Sequence, residues 1–458
     1  MKSLNRKKTK IVCTLGPSSD SVSEIVSLIQ SGMNVARLNF SHGTYDHHKK
    51  IIENIHKAEK LTGKTIAILQ DLQGPKIRIG KLPDEGIKVV KNQFIKLTGE
   101  KIIGYKGKKE TVISLQHKGI IKAVKKGDTV LFKDGLIESK VVRKSADHII
   151  CKVVFGGLLT SNNGVNLPNS YLRIPTITEK DRQDLKFGLK MDVDFVALSF
   201  VKNAKDIENL RKLIEKSGKN PDIVAKIERH EAVKNLQSII KATDAVMVAR
   251  GDLGTDIPPE HVPIVQKRII ALSNKYGKPV ITATQVLQSM ITESIATRAE
   301  ISDAANAVFD HTDAIMLSNE TAVGRYAAKA AKTLTKVALT IEEALQEDSA
   351  KALQFPQYED TDLIVVCTES GLKAKNIAKH RPIKPIIVVT PNQKTIRKLQ
   401  LVWGINQIYK AKCPNDNEKR NAVILKLLKK EKILKKGIKI TIIANNSQKE
   451  SLISTIKI

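Results

Sequence analysis

Lys226 and Glu228 stand two apart in the run Ile223-Val224-Ala225-Lys226-Ile227-Glu228. On a strand, residues two apart point the same way, so an ammonium and a carboxylate would lie side by side. Alone, such a pair serves equally well as a structural ion pair. A second run, Met247-Val248-Ala249-Arg250-Gly251-Asp252-Leu253-Gly254, brings a glycine that lets backbone N–H groups approach a ligand, and a second carboxylate. Glu228 and Asp252 from neighbouring strand ends would suit Mg²⁺, which takes one or two carboxylates and completes its octahedron with waters and substrate oxygens. In Asn34-Val35-Ala36-Arg37-Leu38-Asn39-Phe40-Ser41-His42-Gly43, Arg37 and Asn39 share a face, and an arginine there suits a phosphoryl group. His42 alone reads as a hydrogen-bonded structural histidine. Hydroxyls at Thr282-Ala283-Thr284-Gln285 and Leu317-Ser318-Asn319-Glu320-Thr321 could bind a carboxylate or relay a proton, or simply cap helices. Thr14 to Ser19 and Ser302-Asp303 read as caps and turns.

These residues fall at the ends of a recurring unit: a short β-branched apolar run, a polar or Gly-rich loop, then a helical stretch. The runs are Lys10–Thr14, Asn34–Asn39, Thr65–Asp71, Asp194–Phe200, Ile223–Glu228, Ala245–Arg250, Pro279–Thr284 and Ala314–Ser318. Eight near-continuous apolar strands, each followed by a helix, point to a parallel (β/α)₈ TIM barrel. An open doubly wound sheet has the same periodicity. In a barrel the polar strand ends gather at one mouth. Cations, two metal-type carboxylates and hydroxyls there are equipment for phosphoryl transfer. Neither a Walker A sequence nor a Rossmann fingerprint is present.

The third and fourth runs are too far apart for a normal crossover. Between them, Gly86–Val90, Gly127–Phe132 and Ile149–Val154 alternate between Gly, Asp and Lys turns, which predicts a small inserted all-β lid. A polar linker from about Glu343 to Asp362, with Pro356, precedes strands Leu363–Thr368, Pro385–Thr390 and Ile438–Ala444 alternating with helices. The expected division is barrel 1–78, β-barrel lid 79–170, barrel 171–345 and a C-terminal α/β domain 346–458.

The 458 residues carry a net charge of +30, spread along the chain and mostly lysine. Only Lys426 to Lys439 is dense, and it reads as a solvated helix and turn. Aromatic residues are 4%, which leaves few base-stacking platforms, so specific nucleic-acid binding is not expected. A positive field would attract anionic small substrates. No apolar run is long enough to span a bilayer, and no signal-peptide core is visible. Four scattered cysteines without a CxxC pair argue against a disulfide scaffold or structural zinc. A cytoplasmic location is expected.

Thr9–Ser19, Gly32–Gly43, Gln70–Gly80, Ile223–Val233, Ala245–Pro258, Pro279–Thr292 and Asp313–Gly324 together resemble the motifs of the pyruvate kinases, in that family's order. The similarity covers nearly the whole chain. It implies transfer of the phosphoryl group of phosphoenolpyruvate to ADP, giving ATP and enolpyruvate, which is protonated to pyruvate, the last step of glycolysis. It implies Mg²⁺, or Mn²⁺ in its place, on Glu228 and Asp252. Lys226 and Arg37 would neutralise the phosphoryl group, and Gly251, Asp252 and Thr284 would bind the substrate carboxylate. Asn39, His42 and Arg78 would meet the nucleotide. Thr284, Ser318 and Glu320 match proton-relay candidates. A homotetramer is implied.

Where the resemblance places K⁺, at Asn39, Ser41 and Asp71, many members carry a glutamate at the position of Lys76. The stretch Asp71-Leu72-Gln73-Gly74-Pro75-Lys76-Ile77-Arg78 resembles the branch that needs no K⁺. A lysine ammonium would supply that charge permanently. Asn163 stands where a nucleotide-contacting lysine is common. The loop Asn445-Asn446-Ser447-Gln448 is short, which argues against fructose bisphosphate activation with the Thr368 to Lys373 turn. No appended phosphohistidine domain is expected. Two other readings compete: a catalytically dead scaffold, which would have lost Lys226, Glu228 or Asp252, and a Mg²⁺-dependent lyase acting on pyruvate enolates, which would not need Arg37, Lys76, Arg78 or a lid.

Overall fold

The computed structural model describes residues 7–117, 119–168, 170, 174–347, 360–445 and 451–458. Eight parallel strands close into a barrel: Lys10–Thr14, Val35–Asn39, Ala67–Asp71, Phe195–Leu198, Asp222–Ile227, Ala245–Ala249, Val280–Ala283 and Ala314–Leu317. The first pairs with the last in the register Lys10↔Ala314 to Cys13↔Leu317, which removes the sheet's edges. Nearly every barrel-strand residue is buried, because one face meets the helices and the other fills the barrel. The barrel interior is packed by Val12, Leu69, Phe195, Val224, Met247, Ile281 and Met316. Leu401, from the C-terminal domain, joins that cluster.

The insertion is built almost wholly of β-strands, with one helical turn besides. Seven strands form one sheet in the order Val165–Asn166, Thr129–Phe132, Ile137–Lys144, His148–Phe155, Phe94–Thr98, Thr111–Ser114, Tyr105–Lys106. Ile87–Val89 and Gly157–Leu159 make a separate two-stranded ribbon. A helical turn, Gly119–Ala123, buries Ile120 and Ile121 in the lid core. Its apolar side chains recur at helical rather than alternate spacing, so they close over the sheet instead of extending it.

The C-terminal sheet has the order Ile405–Lys410, Ile386–Thr390, Leu363–Cys367, Lys439–Asn445, Ser451–Lys457, the last strand antiparallel. The two edge strands, Ile405–Lys410 and Ser451–Lys457, were not expected from the sequence. Helix Asn417–Lys430 followed by a turn accounts for the lysine-dense segment. The long helix Ala327–Glu347 runs into the stretch read as linker, and Pro356 lies outside the described residues. So do the residues after Asn445 in the short loop, while the first turn is described: Gly371 N donates to Thr368 Oγ1 at 3.0 Å.

The C-terminal domain is pinned to the barrel's N-terminal end by charge. Asp222 takes Lys398 at 2.6 Å and Lys375 at 3.0 Å. Arg397 meets Glu59 at 2.7 Å. Lys10 Nζ donates to Ile405 O at 2.6 Å. Among the described residues all four cysteines are free thiols, no helix is long and apolar enough to cross a membrane, and no three metal-ligating side chains cluster.

Candidate active site

The strand ends bring the singled-out residues to one mouth. Asp71 ends the third strand and is 1% exposed, so its charge must be paired. Arg37 Nε donates to its Oδ2 at 2.7 Å, and Lys226 Nζ lies 3.1 Å from its Oδ1. Burial alone would raise the Asp71 carboxyl, but Lys226 and Arg37 outweigh it and hold the group below the usual carboxylate range. Burial likewise works against the Lys226 ammonium, and Asp71 and Glu228 overcome it, keeping Lys226 charged well above its ordinary value.

Lys226 also donates to Ser199 Oγ at 2.7 Å and lies 2.9 Å from Glu228 Oε1. Glu228 is 1% exposed. Its Oε2 accepts from Phe200 N at 2.7 Å, and its Oε1 is held by the Lys226 ammonium. Burial pushes the Glu228 carboxyl up, Asp252 adds to that, and Lys226 opposes it. Two carboxylates near enough for Asp252 to raise Glu228 are the kind of donor set a divalent cation takes.

Asp252 follows the sixth strand, and its Oδ1 faces Lys76 Nζ at 3.3 Å. Lys76 also lies 3.9 Å from Asp134 of the lid. The ion pairs of Lys76 therefore run to Asp252 and Asp134, and not to the carboxylate of Asp71. Asn39 Oδ1 accepts from Ser41 N at 3.1 Å, closing a local turn. Burial lowers the His42 imidazole, and the positive charges of Arg78, Arg37 and Lys76 lower it further, so these three cations all act on one place. Arg78 Nη1 donates to Asn162 O at 2.9 Å at the base of the lid. Asn163 caps that turn, its Oδ1 accepting from Thr160 N at 2.8 Å.

The hydroxyls divide. Thr284 Oγ1 accepts from Gly251 N at 2.8 Å, which joins the seventh strand end to the sixth. Thr282 does not reach the mouth: it is fully buried and donates to Thr312 Oγ1 at 3.0 Å. Thr321 donates to Thr14 O at 2.8 Å. Ser318 Oγ is buried with no hydrogen-bond partner among the described residues. Glu320 has both oxygens engaged, Oε2 by Ser318 N at 2.7 Å and Oε1 by Leu287 N at 3.1 Å.

Four residues gain a place that sequence reading did not give them. Thr14, read as a cap, accepts from Arg37 Nη1 at 2.9 Å and donates to Leu317 O at 2.9 Å. Ser199 links Lys226 to Leu72 O; it was open to discovery as the polar residue closing the fourth strand. Arg250, at the end of the sixth run, and Asp303, read with Ser302 as a cap or turn, form an ion pair at 2.7 Å.

The family description "Pyruvate kinase, barrel domain" matches residues 6–331, and "Pyruvate kinase, alpha/beta domain" matches residues 349–458. A pyruvate kinase of Geobacillus stearothermophilus is 43% identical over 433 residues, covering 90% of this chain and 73% of that protein. One of Staphylococcus saprophyticus is 44% identical over 425 residues, covering 88% and 72%. The crystal structure of a pyruvate kinase from Cryptosporidium parvum superposes with a TM-score of 0.90 at 35% identity, covering 99% of this chain and 97% of that one. With a closed parallel barrel, an inserted lid and an α/β domain in the same order, the chain belongs to the pyruvate kinase family of transferases.

Proposed function

We propose that the chain passes the phosphoryl group of phosphoenolpyruvate to ADP with Mg²⁺ and without K⁺, and that the strand-end residues divide the work as follows. Both substrates are polyanions. Two unit charges 4 Å apart interact by about 4 kcal/mol at an effective dielectric near 20, so their approach needs fixed positive charge. Arg37 and Lys226 supply it, held in place by Asp71 between them. The observation that carries the reading is that shared, buried carboxylate.

Glu228 and Asp252 would hold the divalent cation, with Mn²⁺ as a substitute for Mg²⁺. When bound, the cation supplies positive charge to the substrate's carboxylate and enolate oxygens. Gly251 and Asp252 through their N–H groups and Thr284 through its hydroxyl would bind the carboxylate, the Gly251 N–H then being shared between it and Thr284 Oγ1. Thr284, Ser318 and Glu320 remain the candidates for the proton delivered to carbon 3. The free Ser318 hydroxyl supports a relay through it, while Glu320 orients the loop around it. Asn39, His42 and Arg78 would contact the nucleotide, under a lid that limits water access.

Lys76 is the basis for the K⁺-independent reading. Its ammonium beside Asp252 adds a permanent charge to the field felt by His42. The positions Asn39, Ser41 and Asp71 would then need no dissociable ion. A homotetramer and a cytoplasmic location belong to this reading on family grounds alone. The test is pyruvate formation from phosphoenolpyruvate and ADP with Mg²⁺, in a buffer whose only monovalent cation is a bulky organic one. Strong turnover is expected. No turnover there, and none after adding K⁺, would overturn the reading in favour of a scaffold; rescue by K⁺ alone would overturn only the role of Lys76.

A further inference from the structure

Thr284 and Gln285 both have left-handed backbone, with φ of 67° and 53°. A β-branched residue rarely adopts that region, and the conformation persists only where the surroundings impose it. One guanidinium imposes it here. Arg250 Nη2 donates to Thr284 O at 2.7 Å and to Gln285 O at 3.2 Å. Its Nε donates to Thr284 O at 3.2 Å and Ala283 O at 3.3 Å. Three successive carbonyls at the end of the seventh strand thus converge on one cation. The far side of the fork is anchored too: Nη1 donates to Asp303 Oδ1 at 2.7 Å and to Gln266 Oε1 at 3.4 Å. Asp303 lies within helix Arg298–Phe309, whose start is fixed by the Thr297–Glu300 capping box. The Arg250 side chain is 10% exposed, so little water competes for these bonds.

The neighbouring residue completes the tie, because Gly251 N donates to Thr284 Oγ1. The sixth and seventh strand ends are therefore stitched twice, once through the Thr284 main chain and once through its hydroxyl. Without the first stitch, a threonine would relax toward negative φ and carry its hydroxyl away from Gly251. We infer that Arg250 is a positioning residue: it holds the Thr284 backbone in the left-handed conformation that aims the Thr284 hydroxyl into the substrate site. This rests on the reading that Thr284 meets substrate.

A double-mutant cycle tests it. Kinetics for phosphoenolpyruvate would be measured on Arg250→Lys, Thr284→Ala and the double variant, with thermal melts to establish folding. A lysine keeps the charge but has no planar fork to serve three carbonyls and a carboxylate together. Arg250→Lys should cut kcat at least tenfold, and Thr284→Ala should cut it as far or further. The double variant should lose no more than Thr284→Ala alone. Multiplying losses would overturn the inference while leaving Thr284 at the site. Wild-type kinetics in Thr284→Ala would overturn the site reading and the inference with it. Should Arg250→Lys not fold, Asp303→Asn carries the same cycle: a severalfold loss in kcat that disappears when residue 284 is alanine supports positioning, and an unchanged loss overturns it.

Discussion

Arg37 and Lys226 grip opposite oxygens of one buried carboxylate, that of Asp71. Two cations that would repel across a small space are thereby held side by side, where a phosphoryl group could lie against both. The arrangement is built on the ends of the second, third and fifth strands, so its geometry is that of the barrel itself.

Lys226→Met follows directly. The variant removes the positive charge and keeps the length of the side chain. Turnover should fall by about three orders of magnitude or more, the scale at which a preorganised charge acts on a transition state, with the KM for phosphoenolpyruvate changed only severalfold. Steady-state kinetics decide, and wild-type turnover would remove Lys226 from the chemistry.

Glu228→Gln tests the divalent site. An amide still accepts from Phe200 N but loses the negative charge at the buried Oε1. The Mg²⁺ concentration for half-maximal activity should rise at least tenfold, and a chelator should silence the unmodified protein reversibly. An unchanged Mg²⁺ dependence would place the ion elsewhere.

Lys76→Glu should convert the protein to K⁺ dependence. The substitution exchanges an ammonium for a carboxylate beside Asp252, so the site would then need a mobile cation. Activity without K⁺ is expected to drop at least tenfold and to return on adding K⁺. Equal activity with and without K⁺ in the variant would show that Lys76 does not set the requirement.

How far the sequence reached can be judged from particular elements. The barrel strands were legible because strands buried on both faces read as continuous apolar runs, and Lys226, Glu228, Arg37 and Asp252 were legible because they interrupt or end such runs. Arg250 was not, because three of its partners are main-chain carbonyls, whose orientation no residue type announces, and its carboxylate partner Asp303 lies far along the chain. The left-handed Thr284 was hidden for a related reason: sequence patterns assign that conformation to glycine. Lys76 was read toward Asp71, whereas its partners come from the sixth strand end and the lid. Edge strands Ile405–Lys410 and Ser451–Lys457 were missed because a half-exposed edge dilutes the apolar pattern, as the exposed Ile453 shows.

Asp194 yields a prediction far from the mouth. It sits at the N-terminal end of the fourth strand, where its Oδ2 accepts from Ile68 N at 2.8 Å. Burial pushes its carboxyl up from 3.8 to about 7; Arg397 and the Ile68 N–H pull it down, while Glu59 and Asp192 push it further up. An unfolded chain releases this proton near pH ~3.9. Between those values the folded protein holds a proton that the unfolded chain has lost, so this group's contribution to stability is complete below about pH 4 and is lost as the pH rises through 7. Asp194→Asn removes the titration while keeping an oxygen for Ile68, and Arg397 retains Glu59 at 2.7 Å. Relative to the unmodified protein, the variant should gain on the order of 1–4 kcal/mol between pH 4 and pH 8, at ~1.4 kcal/mol for each tenfold difference in proton affinity between the folded and unfolded chain. Chemical denaturation of both proteins at the two pH values measures it. A stability difference that is the same at both would mean that Asp194 titrates as an ordinary carboxylate and that its burial is offset by the Arg397 contact.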